Sequence, residues 1–218
     1  MGVIGSIKKS IVIKVKYNFE RNCVDLLKWA CTTLKSNKAI DINWGEENIS
    51  ANLYQYISDS QQATKCNIFV ESEHTFYSDD ILNNRKSPKS GSRIDLVFQH
   101  NWNGHKFIFY VEAKKLVAYD FRKHGNSSIT KAGSVQQRYI DTGIDHFLFG
   151  HYPMGCLLGY VLNGTTADVV DGINGLLIKG CRGLECLRHV SGLDSWMCYK
   201  SRHSSFTTIL EHFFFHFV

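Results

Sequence analysis

From Arg93 to Val111 apolar and polar residues alternate on both sides of Asn103-Gly104. Asn-Gly is the strongest short hairpin signal, because both residues tolerate positive φ. Two strands are therefore predicted, Arg93 to Phe98 and Lys106 to Val111, folding back on each other. With Asn103 and Gly104 as the loop, Trp102 pairs with His105. Counting outward sets Asp95 opposite Glu112, and Lys114 joins their face. One face carries Ile94, Leu96, Phe98, Phe107, Phe109, Val111 and Ala113 and nothing charged, which marks it as core. The other carries Arg93, Asp95, Val97, Gln99, Lys106, Ile108, Tyr110, Glu112 and Lys114, a mixed surface expected to line a cleft.

The same reading assigns the rest of the chain. Ile11 to Tyr17 alternates Ile and Val with Lys and predicts a short strand, whereas Asn22 to Leu34 repeats apolar residues at helical spacing. A second helix is predicted from Asn43 or Trp44, with Glu46 and Glu47 in its first turn, where carboxylates favour the helix dipole. Glu46 lies three residues before Ile49 and seven before Leu53, so it shares their inward stripe. Residues Asn67 to Phe76 form a predicted strand, followed by a polar connection from Ser78 to Ser92. Tyr119 to Ser134, rich in Gly, Ser and basic residues, suits a mobile loop. A helix is expected over Ser134 to Phe149, with Gly143 as a point of interruption. Gly155 to Leu162 follows as a buried strand, Thr166 to Ile178 as a helix and Trp196 to Tyr199 as a late strand. The apolar run TILEHFFFHFV is either the last core element or a docking surface. The alternation predicts an α/β protein with a central mixed β-sheet flanked by helices.

Composition narrows the classes. A chain of 218 residues is long enough for one well-buried domain, and no apolar run approaches the ~18 residues that would cross a bilayer. A cytoplasmic location with no membrane partner is expected. Met1-Gly2 with Ser6 fits a short myristoylation pattern, a weaker alternative. Seven cysteines, an odd number without CxxC pairs, point to reduced thiols. Cys181, Cys186, His189, Cys198 and His203 could ligate zinc, but their spacing fits no strong finger pattern. There is no GxSxG elbow and no Walker loop. A formal charge of +5 is compatible with a polyanionic partner without demanding one. The basic residues cluster, with Arg85, Lys86 and Lys89 before the hairpin and Arg122, Lys123, His124 and Lys131 after it, where they could contact phosphates.

Two carboxylates opposed across neighbouring strands repel by roughly 3 kcal/mol at about 5 Å and an effective dielectric of about 20. A bound cation would remove that cost. The bland reading is an exposed strand face on which Arg93 and Lys114 neutralise the acids.

Ile94-Asp95, sixteen residues, then Glu112-Ala113-Lys114, with Glu46 on an earlier helix, resembles the active site of the PD-(D/E)XK nuclease superfamily, the restriction-endonuclease-like fold. The order helix, strand, hairpin, helix, strand is similar to its core, over approximately residues 43–162 of a single domain spanning 1–218, with 163–218 as a C-terminal elaboration. The proline of the motif is replaced by Ile94. The resemblance implies a magnesium-dependent deoxyribonuclease, with manganese as a substitute. Asp95, Glu112 and the Ala113 backbone carbonyl would hold the metal, Lys114 would act on the attacking water, and Glu46 would bind metal through water or orient the nucleophile. Gln136 and Tyr139 are similar to a Gln and Tyr of exonuclease-like members, which would make Gln136 a nucleic-acid contact. DNA is the implied substrate, with RNA not separated from it. A homodimer or a targeting or ATPase partner subunit would direct it, as in restriction and phage-defence systems. The alternative is a catalytically silent nucleic-acid-binding or assembly subunit of the same fold.

Overall fold

The computed structural model describes residues 8–77, 79–87, 89, 91–125, 127–150, 152, 155–190, 197–203 and 208–217. The residues of the myristoylation pattern, Met1, Gly2 and Ser6, lie outside them, as do Ser78 and Trp196.

The chain opens with a long helix, α1 (Lys9–Asn37), whose buried side chains begin at Phe19. The strand expected over Ile11 to Tyr17 is therefore helical. Ile11, Ile13 and Tyr17 are exposed there, so no sheet rewards their alternation, and the segment continues the helix that Cys23 to Leu34 anchor in the core. Helix α2 (Glu46–Ser58) follows, then α3 (Gln61–Lys65), with the Ser60 side chain capping α3 by accepting from the Gln62 and Ala63 N–H groups.

Strand β1 (Phe69–Phe76) pairs antiparallel with β2 (Ser92–Trp102), and a short helix, α4 (Asp79–Leu82), lies in their connection. β2 and β3 (His105–Leu116) form the expected hairpin, with Trp102 paired to His105 and Leu96 to Val111. Asn103 and Gly104 both have positive φ, as the turn requires. After β3 a two-stranded ribbon, β4 (Phe121–Arg122) and β5 (Ile129–Thr130), leads into α5 (Ala132–Arg138). That helix widens into a π-helical turn, Tyr139–Ile144, and runs on as α6 (Asp145–Leu148). Gly143 does not interrupt it. A Cβ there would lie 2.6 Å from Leu157 Cδ2, so glycine lets the helix sit close on the sheet.

Strand β6 (Gly155–Val161) lies parallel to β3. Helix α7 (Thr166–Lys179) begins with a capping box between Thr165 and Asp168. The chain then forms β7 (Arg188–His189), β8 (Met197–His203) and β9 (Thr208–His216). The result is a seven-stranded mixed sheet in the order β1-β2-β3-β6-β9-β8-β7. Residues 163–218, expected as an elaboration, thus supply three strands of the main sheet. The apolar C-terminal run is a core strand, with Phe213 and Phe214 buried on opposite faces.

Both faces of the sheet are covered. Helices α1 and α2 close one, over Leu96, Phe98, Phe109 and Val111. The α5–α6 segment and α7 close the other, over Val97, Leu157 and Phe214. The mixed hairpin face is therefore not an open cleft along its length, because Val97 is buried and Ile108 and Tyr110 pack beneath the second layer. Ile94 also departs from the alternation. It packs with the second layer rather than with Leu96, because β2 stops pairing with β3 at Leu96 and turns away. Among the described residues no helix is long and apolar enough to cross a membrane.

Candidate active site

The divergence of β2 from β3 builds the site. Beyond Val111 the β3 edge has lost its strand partner, and its N–H groups need other acceptors. Asp95 Oδ2 accepts from the Ala113 N–H at 2.7 Å, and Glu46 Oε2 accepts from the Lys115 N–H at 2.7 Å. Two carboxylates thus stand where a strand would continue. Ala113's carbonyl points to the same side as its N–H, toward Asp95.

Continuing the hairpin register one step past Leu96 and Val111 places Asp95 opposite Glu112. Glu112 and Lys114 are 3% and 6% exposed, and the Lys114 ammonium donates to Glu112 Oε1 and lies 3.5 Å from Glu46 Oε1. Arg138, at the end of α5, reaches the same Glu46 oxygen at 2.9 Å. Glu112 Oε2 is buried and has no well-formed hydrogen bond among the described residues, because the Tyr152 hydroxyl that comes up to Glu112 gives its proton to the Arg93 carbonyl. Tyr152 borders the acids, its hydroxyl donating to the Arg93 carbonyl and lying 3.1 Å from His146 Nδ1.

The electrostatics follow from burial. Loss of solvent, opposed by Lys114, pushes Glu112 up to about 8 and Asp95 up to about 6. Burial works against the charge on Lys114. The Glu112, Glu46 and Asp95 carboxylates together outweigh it and hold the ammonium above its ordinary value. Burial and the nearby acids likewise raise the Tyr152 phenol. Lys115 is pushed down to about 8 by burial and then by Lys123, while its ammonium donates to the Ile42 and Trp44 carbonyls and so fixes the entry into α2.

The structure brings Glu46, Asp95, Glu112, Ala113 and Lys114 to one place. The expected phosphate contacts are more scattered. Arg85 and Lys86 pair with Asp80 at 3.2 and 3.1 Å, and Lys89 is exposed in the same connection. Lys131 pairs with Asp120 at 2.7 Å. Phe121 pairs with Thr130 on the ribbon, and both line a cavity of about 280 Å³ with Lys123, while Arg122 pairs with Ile129, outside that lining. Strand alternation separates Lys123 from Arg122 in this way.

Two expectations are corrected. Gln136 is 5% exposed, its amide donates to the Val117 carbonyl at 2.9 Å, and it packs on Gly172 of α7, so it holds two layers together rather than facing a ligand. The segment expected as a mobile loop, Tyr119 to Ser134, carries in its described residues a two-stranded ribbon tied to the rest of the fold. Tyr119 bonds Asn163 and Asp168, Ala132 N–H donates to Asp120, and His124 N–H donates to Asn43.

The possible zinc ligands do not gather. Cys181 and His189 are exposed, Cys198 is buried elsewhere, and His203 is engaged with Ser201 and Glu185. That engagement belongs to a buried chain of hydrogen bonds unforeseen in the sequence. Tyr139 OH meets His212 Nδ1 at 2.8 Å, His212 Nε2 meets Ser201 Oγ at 2.7 Å, Ser201 Oγ meets His203 Nε2 at 2.7 Å, and His203 Nδ1 meets Glu185 at 2.6 Å. One proton per link, passed from Tyr139 toward Glu185, satisfies every group with both imidazoles neutral. Arg182 then ties Glu185 to Asp145 of α6. Sequence reasoning also missed Lys115, Arg138 and Tyr152. The Lys114-Lys115 doublet was the one local hint.

Compared with protein families, curated proteins and solved structures, the chain matches none.

Proposed function

We propose that the protein hydrolyses phosphodiester bonds in DNA at the open end of the β2–β3 hairpin, with magnesium or manganese. The observation that carries this reading is the meeting of Glu46, Asp95, Glu112 and Lys114, from a helix and two strands, around a buried carboxylate oxygen that no protein group among the described residues satisfies. A purely structural ion-pair cluster does not call for an orphaned acceptor, which costs about 1–3 kcal/mol.

The donor set suits a hard cation, since it is entirely oxygen. Among the described residues no three His, Cys, Asp or Glu side chains form a ready-made cage. Asp95, Glu112 and the Ala113 carbonyl would hold the ion, with waters and a substrate phosphate completing the shell, an arrangement usual for magnesium. When bound, such an ion acidifies a coordinated water and neutralises charge on the phosphodiester. With Glu112 at about 8 and Asp95 at about 6, binding would release protons and strengthen as pH rises.

The chain's own groups divide the remaining work. Lys114 stays charged at neutral pH and is held between the Glu112 and Glu46 carboxyl groups, so it can orient a water and donate to the oxygen that gathers negative charge. Glu46, fixed by the Lys115 N–H and Arg138, positions that ammonium. The Ala113 N–H fixes the Asp95 carboxylate. The order α2, β1, β2–β3, α5–α6, β6 adds support from element sequence, and retention of all four polar groups favours an enzyme over a silent subunit.

The test is magnesium-dependent cleavage of supercoiled, linear and single-stranded DNA, with single-stranded RNA alongside. Asp95→Asn and Lys114→Ala should each lower the rate at least about a hundredfold while keeping the wild-type circular dichroism spectrum. A wild type that binds DNA but leaves every substrate intact would move the reading to the silent subunit.

A further inference from the structure

The cavity beside the acids has a composition that nuclease chemistry alone does not require. Its walls are Phe121 and Thr130 from the ribbon, Ser134, Val135 and Arg138 from α5, and Lys123 from the segment after β4. Its floor is Glu46, Lys114 and Lys115, shared with the candidate active site. Four cations face one acid. Lys114 and Lys115 are already engaged, by Glu112 and by the Ile42 and Trp44 carbonyls. Lys123 has no carboxylate partner among the described residues, and Arg138 uses one arm on Glu46 and has further donors to offer.

The apolar part is equally specific. Phe121 has the Lys115 ammonium 4.9 Å from its ring centre, and Val135 stands with it in the wall. A volume of about 280 Å³ is far more than one phosphate needs and lies close to the lower end of the range of small-molecule pockets, about 300 Å³. The ribbon that carries Phe121 is fastened through Asn43, Asn163 and Asp168, so the wall is preformed. Cations next to an aromatic ring, in a pocket of this size, match the chemistry that recognises one unit of a single strand.

We propose that this cavity receives a single nucleotide unit of the substrate, its phosphate between Lys123 and Arg138 and its sugar and base against Phe121 and Val135. This deepens the nuclease reading and rests on it for placing the scissile bond next to the pocket. The substrate is then a strand whose flanking nucleotide is unstacked from its neighbours, either at an end or within a single-stranded stretch.

Binding of thymidine monophosphate, followed by calorimetry without metal, tests the pocket apart from the chemistry. Lys123→Ala and Phe121→Ala should each weaken binding about tenfold or more, Lys106→Ala at the distant hairpin tip should not, and thymidine or inorganic phosphate alone should bind at least tenfold more weakly. Wild-type affinity in both pocket variants overturns the proposal. So does inorganic phosphate binding as tightly as the nucleotide, which would leave a plain anion site. Cleavage is read separately. If single-stranded DNA is cut with an unchanged KM in both variants, the pocket fails and the nuclease reading stands. If the nucleotide binds with the expected pattern and nothing is cut, the pocket stands and the nuclease reading falls. If both hold, a chain end blocks or serves the pocket according to whether circular single strands are cut more slowly than linear ones.

Discussion

At the residue scale, buried titratable groups set opposite trends with pH. Asp95 and Glu112 keep their protons to higher pH in the folded chain than in the unfolded one. The folded state binds more protons between about pH 4 and pH 8, so their contribution to stability falls as pH rises through that window. His212 behaves the other way. Burial, with His203 beside it, pushes its imidazole down to about 3, so the unfolded chain binds the extra proton and stability is lost as pH falls below about 6.5. The loss from His212 alone should reach about 2 kcal/mol at pH 5. His212→Asn keeps a donor and an acceptor for Tyr139 and Ser201 but cannot titrate. Urea unfolding at pH 8 and pH 5 should therefore show a drop about 2 kcal/mol smaller in the variant, the acids cancelling because both proteins carry them. Equal drops would remove His212 as the source. None of this hydrogen-bond chain was legible in the sequence, since Tyr139, Glu185, Ser201, His203 and His212 meet only through the fold. Asp95, Glu112 and Lys114 were legible because the Asn103-Gly104 turn sets a register that can be counted, and Glu46 because its helix has a clear apolar stripe.

At the element scale, the site depends on how closely the α5–α6 segment and β6 approach β3. Gly143 lets the α5–α6 segment settle against Leu157 of β6, and Gly155 lets β6 approach β3, where a Cβ would run into the Tyr110 carbonyl oxygen and carbon. Backbone cannot yield as a side chain can, so Gly155→Ala should cost about 2–4 kcal/mol and lower the melting temperature by roughly 5–15 °C. Gly133 is the contrast. It lies in α5, where an added methyl would meet nothing within 4 Å, so Gly133→Ala should leave stability unchanged or raise it by up to about 1 kcal/mol. Thermal melts of the two variants check both values, and comparable melts would mean the parallel β3–β6 contact gives way more easily than its geometry indicates. An apolar period identifies an element where the side chains that carry it are buried, and misleads where most of them face water. Ile11 to Tyr17 alternates like a strand, yet Val12 and Val15, three residues apart, pack against the core while Ile11, Ile13 and Tyr17 stay exposed, a helical division that continues α1. The ribbon β4–β5 was hidden because two-residue strands carry no periodic signal. Its order comes from side chains elsewhere in the chain, Asn43, Asn163 and Asp168.

At the scale of the whole molecule, the question is how many cations are free to meet a polyanion. The net charge of +5 overstates the supply near the site, because Arg85 and Lys86 answer Asp80 and Lys131 answers Asp120. Those pairs are exposed and weak, but a phosphate would have to displace a carboxylate already in place. Among the described residues Lys89, Arg122 and Lys123 remain without an acidic partner, with Arg138 shared by Glu46. About three phosphates neutralised gives a slope near −2.7 for log affinity against log salt on duplex DNA, and about −2 on a single strand. Duplex binding should then weaken about fortyfold between 50 and 200 mM salt, and Lys123→Ala should flatten the slope by close to one. Fluorescence anisotropy over that range, with magnesium replaced by EDTA to prevent cutting, measures both. A slope near −6 would mean that the acid-paired cations also release to meet phosphate, and that the charge pattern of the isolated protein understates its footprint. A slope unchanged by Lys123→Ala would place the backbone away from the cavity and leave the acids of the hairpin without a track that leads nucleic acid to them.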